Sequence, residues 1–162
     1  MAFDCFLKID GIQGESKDKT HKNEIEVLSL NWGANQTGTA AYGGGAGAGR
    51  VNMQDISFTK RFDKASPKLM LNCCNGTHIK NAVFTLRKAG GEQQEYMFIR
   101  LNDVLVSSVS AGGSADSGDD IPLETVSFNY GKIEVEYKEQ KEDGTLGGTV
   151  KAHWDVKQNT GG

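Results

Sequence analysis

Residues 42–50 read YGGGAGAGR, a run rich enough in glycine to wrap a phosphate. A P-loop needs Lys and then Ser or Thr after its last glycine, because the ammonium grips the phosphates and the hydroxyl holds Mg²⁺. Gly44 and Gly49 have that separation, but Arg50 and Val51 follow, so the metal ligand is missing. The dinucleotide pattern also fails: counted from Gly43 it puts Ala48 at the third glycine, and from Gly45 it puts Arg50 there. No amphipathic helix follows to aim its N-terminus at an anion. Cys73, Cys74 and His78 lie close in sequence, yet zinc thiolates converge from cysteines two to four residues apart. Adjacent cysteines on the buried side of a helix read as small apolar fillers. A nucleophile elbow fits Gly112 and Ser114, but Asp116 replaces its final glycine. Asp119 and Asp120 are adjacent and their side chains diverge, whereas two working carboxylates come from separate elements. His153 falls on the charged side of a strand. The reading is therefore no catalytic residue, no cofactor and no metal; such a chain works by presenting surface.

The elements that carry this surface are mostly strands. Phe3, Cys5, Leu7 and Ile9 alternate with Asp4, Phe6, Lys8 and Asp10. In EIEVLSLNWG the apolar phase slips between Val27 and Leu28, which marks a bulge or an irregular strand. AVFTLRK and EYMFIRL flank AGGEQQ as a hairpin. Ile133, Val135 and Tyr137, then Val150, Ala152, Trp154 and Val156, alternate with polar residues. They predict a hairpin with one greasy face and one of mixed charge, where cross-strand ion pairing is possible. One helix breaks the pattern: Ser66 at its N-cap, Pro67 at its first position, Gly76 just past its end, and Leu69, Met70, Cys73 and Cys74 along one side. The predicted fold is mainly β, a two-sheet β-barrel or sandwich with one short flanking α-helix and long extended loops. It forms a single domain over 1–158, with a flexible tail over 159–162.

Composition narrows the partners. A net charge of −3 over 162 residues argues against nucleic acid. No stretch reaches the length of a membrane span, and the N-terminus MAFDCFLKIDGIQ lacks the cationic and apolar regions of a cleaved leader. Three cysteines, two of them adjacent, read as reduced thiols. The loop with Ala40, Ala41, Tyr42, Ala46 and Ala48 has few charges to solvate it, and its glycines can mould to a neighbour. Self-assembly is one expectation. The alternative is a monomeric β-sandwich that binds a ligand on Trp32 and Trp154, although core packing suits both better.

Long stretches settle between these by likeness. GESKDKTH at 14–21, LNWG at 30–33 and GGGAGAGRVNMQDISFTKRFDKASPKLMLNCCNG at 43–76 resemble the haemolysin-coregulated protein (Hcp) family, the tube subunits of bacterial type VI secretion. LRKAGGEQQEYMFIRLNDVLVSSVSAGGS at 86–114 and VSFNYGKIEVEY at 126–137 continue the match. The acidic spacing of SADSGDD and the adjacent Cys73 and Cys74 depart mildly from it. The resemblance implies a homohexameric ring that stacks into tubes, a contractile sheath around the tube, a trimeric spike protein at its tip and secreted effector proteins in its lumen. It implies synthesis in the bacterial cytoplasm and then secretion to the extracellular space or a target cell. By its place in the family, the loop 37–50 touches neighbouring subunits, which assigns Tyr42, Gly43, Gly44, Gly45, Gly47 and Arg50 to ring and stacking contacts. Ser114, in VSSVSAGGS, is similar to the lumen-facing cargo region.

Overall fold

A computed structural model describes residues 3–36, 50–90, 92–116, 118 and 120–162. In chain order the elements are β1 (Asp4–Ile9), β2 (Ile25–Val27), β3 (Ser29–Asn31), β4 (Ala34–Asn35), β5 (Asn52–Met53), β6 (Ile56–Arg61), α1 (Ser66–Asn75) and β7 (His78–Arg87). Then follow β8 (Glu95–Gly112), β9 (Leu123–Gln140), β10 (Leu146–Asp155) and β11 (Thr160–Gly161). The mainly-β prediction with one helix holds.

The main sheet runs β11-β10-β9-β8-β7-β1-β2, with β6 joined to β9 and β3 to β6. Two 18-residue strands, β8 and β9, make this possible. β9 pairs with β6 over Leu123–Phe128 and with β10 over Lys132–Gln140, so one strand serves both halves of the sheet. The sheet therefore folds over on itself as a sandwich. The phase slip after Val27 is the corner. Ile25 and Val27 are buried against β1, Leu28 turns outward, and its N–H donates to the Thr59 carbonyl at 2.7 Å. The chain thus leaves β1 for β6 at the point where the apolar alternation changes phase.

Inward residues line up in rows across the strands. Ile25, Leu7, Phe84, Ile99 and Val135 occupy one row. Phe58 meets Phe84 and Phe128 edge to face at 5.4 and 5.1 Å between ring centres. Burying a side chain of this size stabilises by about 1.5–3 kcal/mol, so these rings anchor the core.

The helix departs from its prediction at both its start and its face. Ala65, not Ser66, is the N-cap residue, and it makes no side-chain cap. Ser66 lies inside the first turn, where its buried hydroxyl accepts from the Asp63 N–H at 3.0 Å and from Lys60 Nζ at 2.8 Å. The hydroxyl serves a buried cation instead of a cap. Leu69 is buried and Cys73 half-buried one turn on, but Met70, Leu71 and Cys74 face outward. At 100° per residue neither 70 nor 74 can share the face of 69 and 73 on so short a helix. Cys74 is therefore no core filler. Gly76 ends the helix as predicted, at φ 69°, where a side chain would be strained.

The C-terminal residues turn back along β10. Thr160 and Gly161 pair with Asp155 and Trp154, and Gly162 exchanges two backbone hydrogen bonds with His153. The return is made by a turn in which the Gln158 N–H donates to Asp155 Oδ1 at 2.9 Å.

One glycine matters for close approach. A Cβ at Gly14 would lie 2.5 Å from the Glu24 carbonyl oxygen, so the 14–24 loop closes on itself only without a side chain there. Gly14→Ala is expected to cost about 2 kcal/mol, in the range for overpacking, read as a lower urea midpoint with unchanged slope.

Candidate functional site

Tyr42, Gly43, Gly44, Gly45 and Gly47 lie outside the described residues; Arg50 is described and exposed. What the structure gives is the base of their loop. β4 and β5 pair as a two-stranded ribbon, Ala34 with Met53 and Asn35 with Asn52. Two residues per strand are too few to hold alone. The ribbon is instead pinned to the sandwich just beyond β5. Asp55 accepts from Ser107 Oγ at 2.6 Å and from Asn129 Nδ2 at 2.9 Å, and the Tyr130 hydroxyl donates to the Gln54 carbonyl at 2.9 Å. Burial pushes the Tyr130 hydroxyl up to about 12, so it keeps its proton and its donor role at neutral pH. These pinning residues escaped sequence reasoning, because each partner comes from a strand more than fifty residues away and no local pattern marks it.

Ser114 follows the end of β8 and is exposed, its hydroxyl accepting from the Asp116 N–H at 3.3 Å. It borders an open cavity of about 420 Å³ lined by Gly112, Gly113, Asp120, Ile121, Pro122 and Leu123. Ile121, Leu123 and nearby Phe62 are exposed apolar groups, and the Phe62 N–H is bonded to the Pro122 carbonyl. Small, polar and apolar groups together suit contact with another protein surface. Ser114 and the loop base are not brought together. They sit at opposite ends of β6, whose five residue steps span about 17 Å.

Two charge clusters, one buried and one partly buried, brace the fold. Lys60 and Glu124, opposite each other on β6 and β9, are both buried and lie 3.1 Å apart. Arg87 bonds Asp18 at 2.6 Å and Asp4 at 3.3 Å, and its guanidinium lies 4.7 Å from the centre of the Phe6 ring. One surface beside the 14–24 loop differs from what the overall charge predicts. Lys8, Lys19, Lys22, Lys64 and Lys68 border one open groove of about 900 Å³, with Asp10 and Glu24 as its acids. None of the five lysines has a salt-bridge partner among the described residues. The negative total thus conceals a basic groove.

Other candidate chemistry stays dispersed. Burial pushes the Cys5 thiol up to about 12, so it carries no thiolate at neutral pH. Among the described residues no group of three or more His, Cys, Asp or Glu is placed to hold a metal ion, and no helix is long and apolar enough to cross a membrane. Trp154 packs half-buried against the core, while Trp32 is exposed just beyond β3.

Comparison with known proteins gives a consistent picture. Residues 6–137 match the family described as "Type VI secretion system effector, Hcp". The chain is similar to Protein hcp1 of Pseudomonas aeruginosa, with 53% identity over 161 residues and 98% of each chain covered. Among solved structures it is similar to Hcp1 from Salmonella typhimurium, at 40% identity, TM-score 0.81 and 99% of both chains. It is also similar to a type VI secretion system effector from Yersinia pestis, at 38% identity and TM-score 0.76, covering 94% of this chain and all of that one. A structure titled as a type six secretion system protein overlays at TM-score 0.92, with 31% identity and coverage of 99% and 100%.

Proposed function

The chain belongs to the Hcp family and is a tube subunit of type VI secretion, and on that premise we propose that six copies close into a ring whose stacked repeats enclose a lumen for effector proteins. The observation that carries this reading is a family match spanning most of the chain together with whole-chain similarity to Hcp structures. The family is a secreted, structural one, and in this reading the subunit works by contact and not by making or breaking bonds. Ring closure requires one surface of each copy to meet a different surface of the next, because a self-complementary patch ends at a dimer. The loop bearing Tyr42, Gly43, Gly44, Gly45, Gly47 and Arg50 supplies ring and stacking contacts, and the pinned ribbon of β4 and β5 flanks it in sequence. Ser114, on an open cavity with apolar neighbours, faces the lumen and its cargo. A contractile sheath surrounds the tube, a trimeric spike caps it, and the subunit leaves the bacterial cytoplasm with the tube.

Electron micrographs of the purified protein, viewed down the particle axis, test the ring directly. Six-fold annuli are the expected result, and a lone 17.5 kDa species in sedimentation at micromolar concentration would overturn it. Ser114→Trp is expected to keep rings and lower effector retention at least tenfold in co-purification; loss of rings in that variant would place Ser114 at a subunit contact instead.

A further inference from the structure

The lysines of the basic groove come from separate stretches of chain. Lys8 belongs to β1, Lys19 and Lys22 to the 14–24 loop, Lys64 to the turn before α1 and Lys68 to α1 itself. All five are exposed, and none has a salt-bridge partner among the described residues. The two acids of the groove are engaged instead: Asp10 Oδ2 accepts from Asn81 Nδ2 at 3.0 Å, and Glu24 Oε1 lies 2.9 Å from His21 Nδ1. Five lysines against two acids leave a local surplus of three positive charges in a chain whose total is −3. A concave, weakly polarisable wall concentrates the field of such a surplus and draws counter-ions to it. Ile9 and Ile12 supply that wall; both line the groove and are buried, and the Ile12 N–H donates to the Ile9 carbonyl at 3.2 Å.

The frame is fixed by the backbone. Asp18 accepts from the Thr20 and His21 N–H groups at 3.1 and 3.2 Å, which sets the turn between Lys19 and Lys22. The Asn23 N–H donates to the Ser16 carbonyl at 2.8 Å, and the Gly14 N–H to the Asn23 carbonyl at 2.8 Å. Glu15 Oε2 accepts from the Lys64 N–H at 2.8 Å. The loop that carries Lys19 and Lys22 is thereby tied to the segment that carries Lys64 and Lys68. Charges held in place before a ligand arrives cost less to order when it binds.

We propose that this groove binds a compact, soluble oligophosphate, one per chain. Composition points away from a protein partner: protein interfaces gather arginine and aromatic residues and shed lysine, whereas this lining has five lysines, no arginine and no aromatic ring. Lysine meets phosphate as a point charge, and a phosphate monoester brings about two negative charges where a carboxylate brings one. The volume, about 900 Å³, is that of a small-molecule site. A bilayer surface is too flat to follow the concavity, and a long nucleic acid would run past the groove onto a molecule of negative total charge.

Isothermal titration calorimetry of the full chain with inorganic tripolyphosphate tests it. One site per chain is expected, binding at least tenfold more weakly at about 300 mM salt than at about 50 mM, because exposed charges are screened. Lys19→Gln combined with Lys68→Gln is expected to raise the dissociation constant at least tenfold. Lys141→Gln combined with Lys151→Gln removes the same charge outside the groove and is expected to change it less than twofold. Both double variants should keep the far-UV circular dichroism of the parent; should the first disturb folding, Lys22→Gln alone is expected to weaken binding several-fold. Citrate, a carboxylate of similar size, is expected to bind at least tenfold more weakly than tripolyphosphate. Absence of saturable binding at low salt overturns the assignment, as do equal losses in the two double variants or citrate bound as tightly as tripolyphosphate. Tighter binding of a hexaglutamate peptide would give the groove to an acidic protein and overturn it. So would capture by phosphatidylcholine vesicles containing phosphatidic acid that tripolyphosphate fails to displace. The groove acts independently of ring closure, so a monomeric protein that binds tripolyphosphate would sink the ring reading and leave this one standing.

Discussion

Replacing Glu124 by alanine is expected to destabilise the subunit by about 3–5 kcal/mol, a large part of the 5–15 kcal/mol that typically holds a domain together. The reason is the cation it would leave behind. Lys60 is fully buried, and its ammonium is matched by Glu124 at 3.1 Å, Asp63 at 2.8 Å and the Ser66 hydroxyl at 2.8 Å. These partners come from β9, from the turn before α1 and from α1 itself, so the buried charge fastens the helix to the sheet. Without Glu124 the ammonium keeps an acid that is partly solvated and loses the one that is buried with it. The double replacement Lys60→Met with Glu124→Leu removes both charges and is expected to return to within about 1 kcal/mol of the parent, because apolar groups of similar volume commonly substitute for a buried pair without loss. Urea unfolding of the three proteins decides the matter. A shift below about 1 kcal/mol for Glu124→Ala would mean that water reaches the site and the charge is not buried.

Arg87→Met is the second large effect, about 3 kcal/mol at neutral pH, and it should be lost in acid. Arg87 is 5% exposed and gathers the 14–24 loop onto the sheet. Its two terminal nitrogens meet the two Asp18 oxygens at 2.9 and 2.6 Å, and Asp18 in turn accepts from the Thr20 and His21 N–H groups at 3.1 and 3.2 Å. His21 stacks on Phe6 at 4.5 Å and reaches Glu24 at 2.9 Å and Glu95 at 2.6 Å. The paired hydrogen bonds from Arg87 hold the Asp18 carboxyl well below the usual carboxylate range. A carboxylate lowered in the folded state contributes stability that is complete above its unfolded pKa, near 3.9, and that fades as pH falls towards its folded value. The gap between parent and Arg87→Met should therefore be constant from pH 7 to about 5 and narrow steadily below pH 4. Unfolding free energies measured from pH 7 to 2 check it. A gap that stays constant down to pH 2 would assign the loss to packing of the guanidinium on Phe6 and not to its pairing with Asp18.

Local pattern carried much of this protein. Alternation at Phe3–Ile9, at Ile133–Tyr137 and at Val150–Val156 specified strands, although Phe6, on the polar phase of the first, is buried as well, and Pro67 and Gly76 bounded α1. The long stretches from GESKDKTH to VSFNYGKIEVEY identified the family, because so many residues in order do not recur by chance. GESKDKTH in particular turns out to be a set of partners for Arg87, although nothing within eight residues shows where a guanidinium 69 positions away will lie. Ser66 illustrates the same limit: a serine before a helical proline looks like a cap until a lysine from β6 arrives to use its hydroxyl.

What the sequence determined by itself was which side of most strands is apolar, since alternation is a property of neighbouring residues. Only the tertiary structure decided which part of that side is covered. Coverage depends on elements brought together from distant parts of the chain, which is why Cys5 and Val150, similar in pattern and joined by one row of pairings, end up buried at one end and exposed at the other.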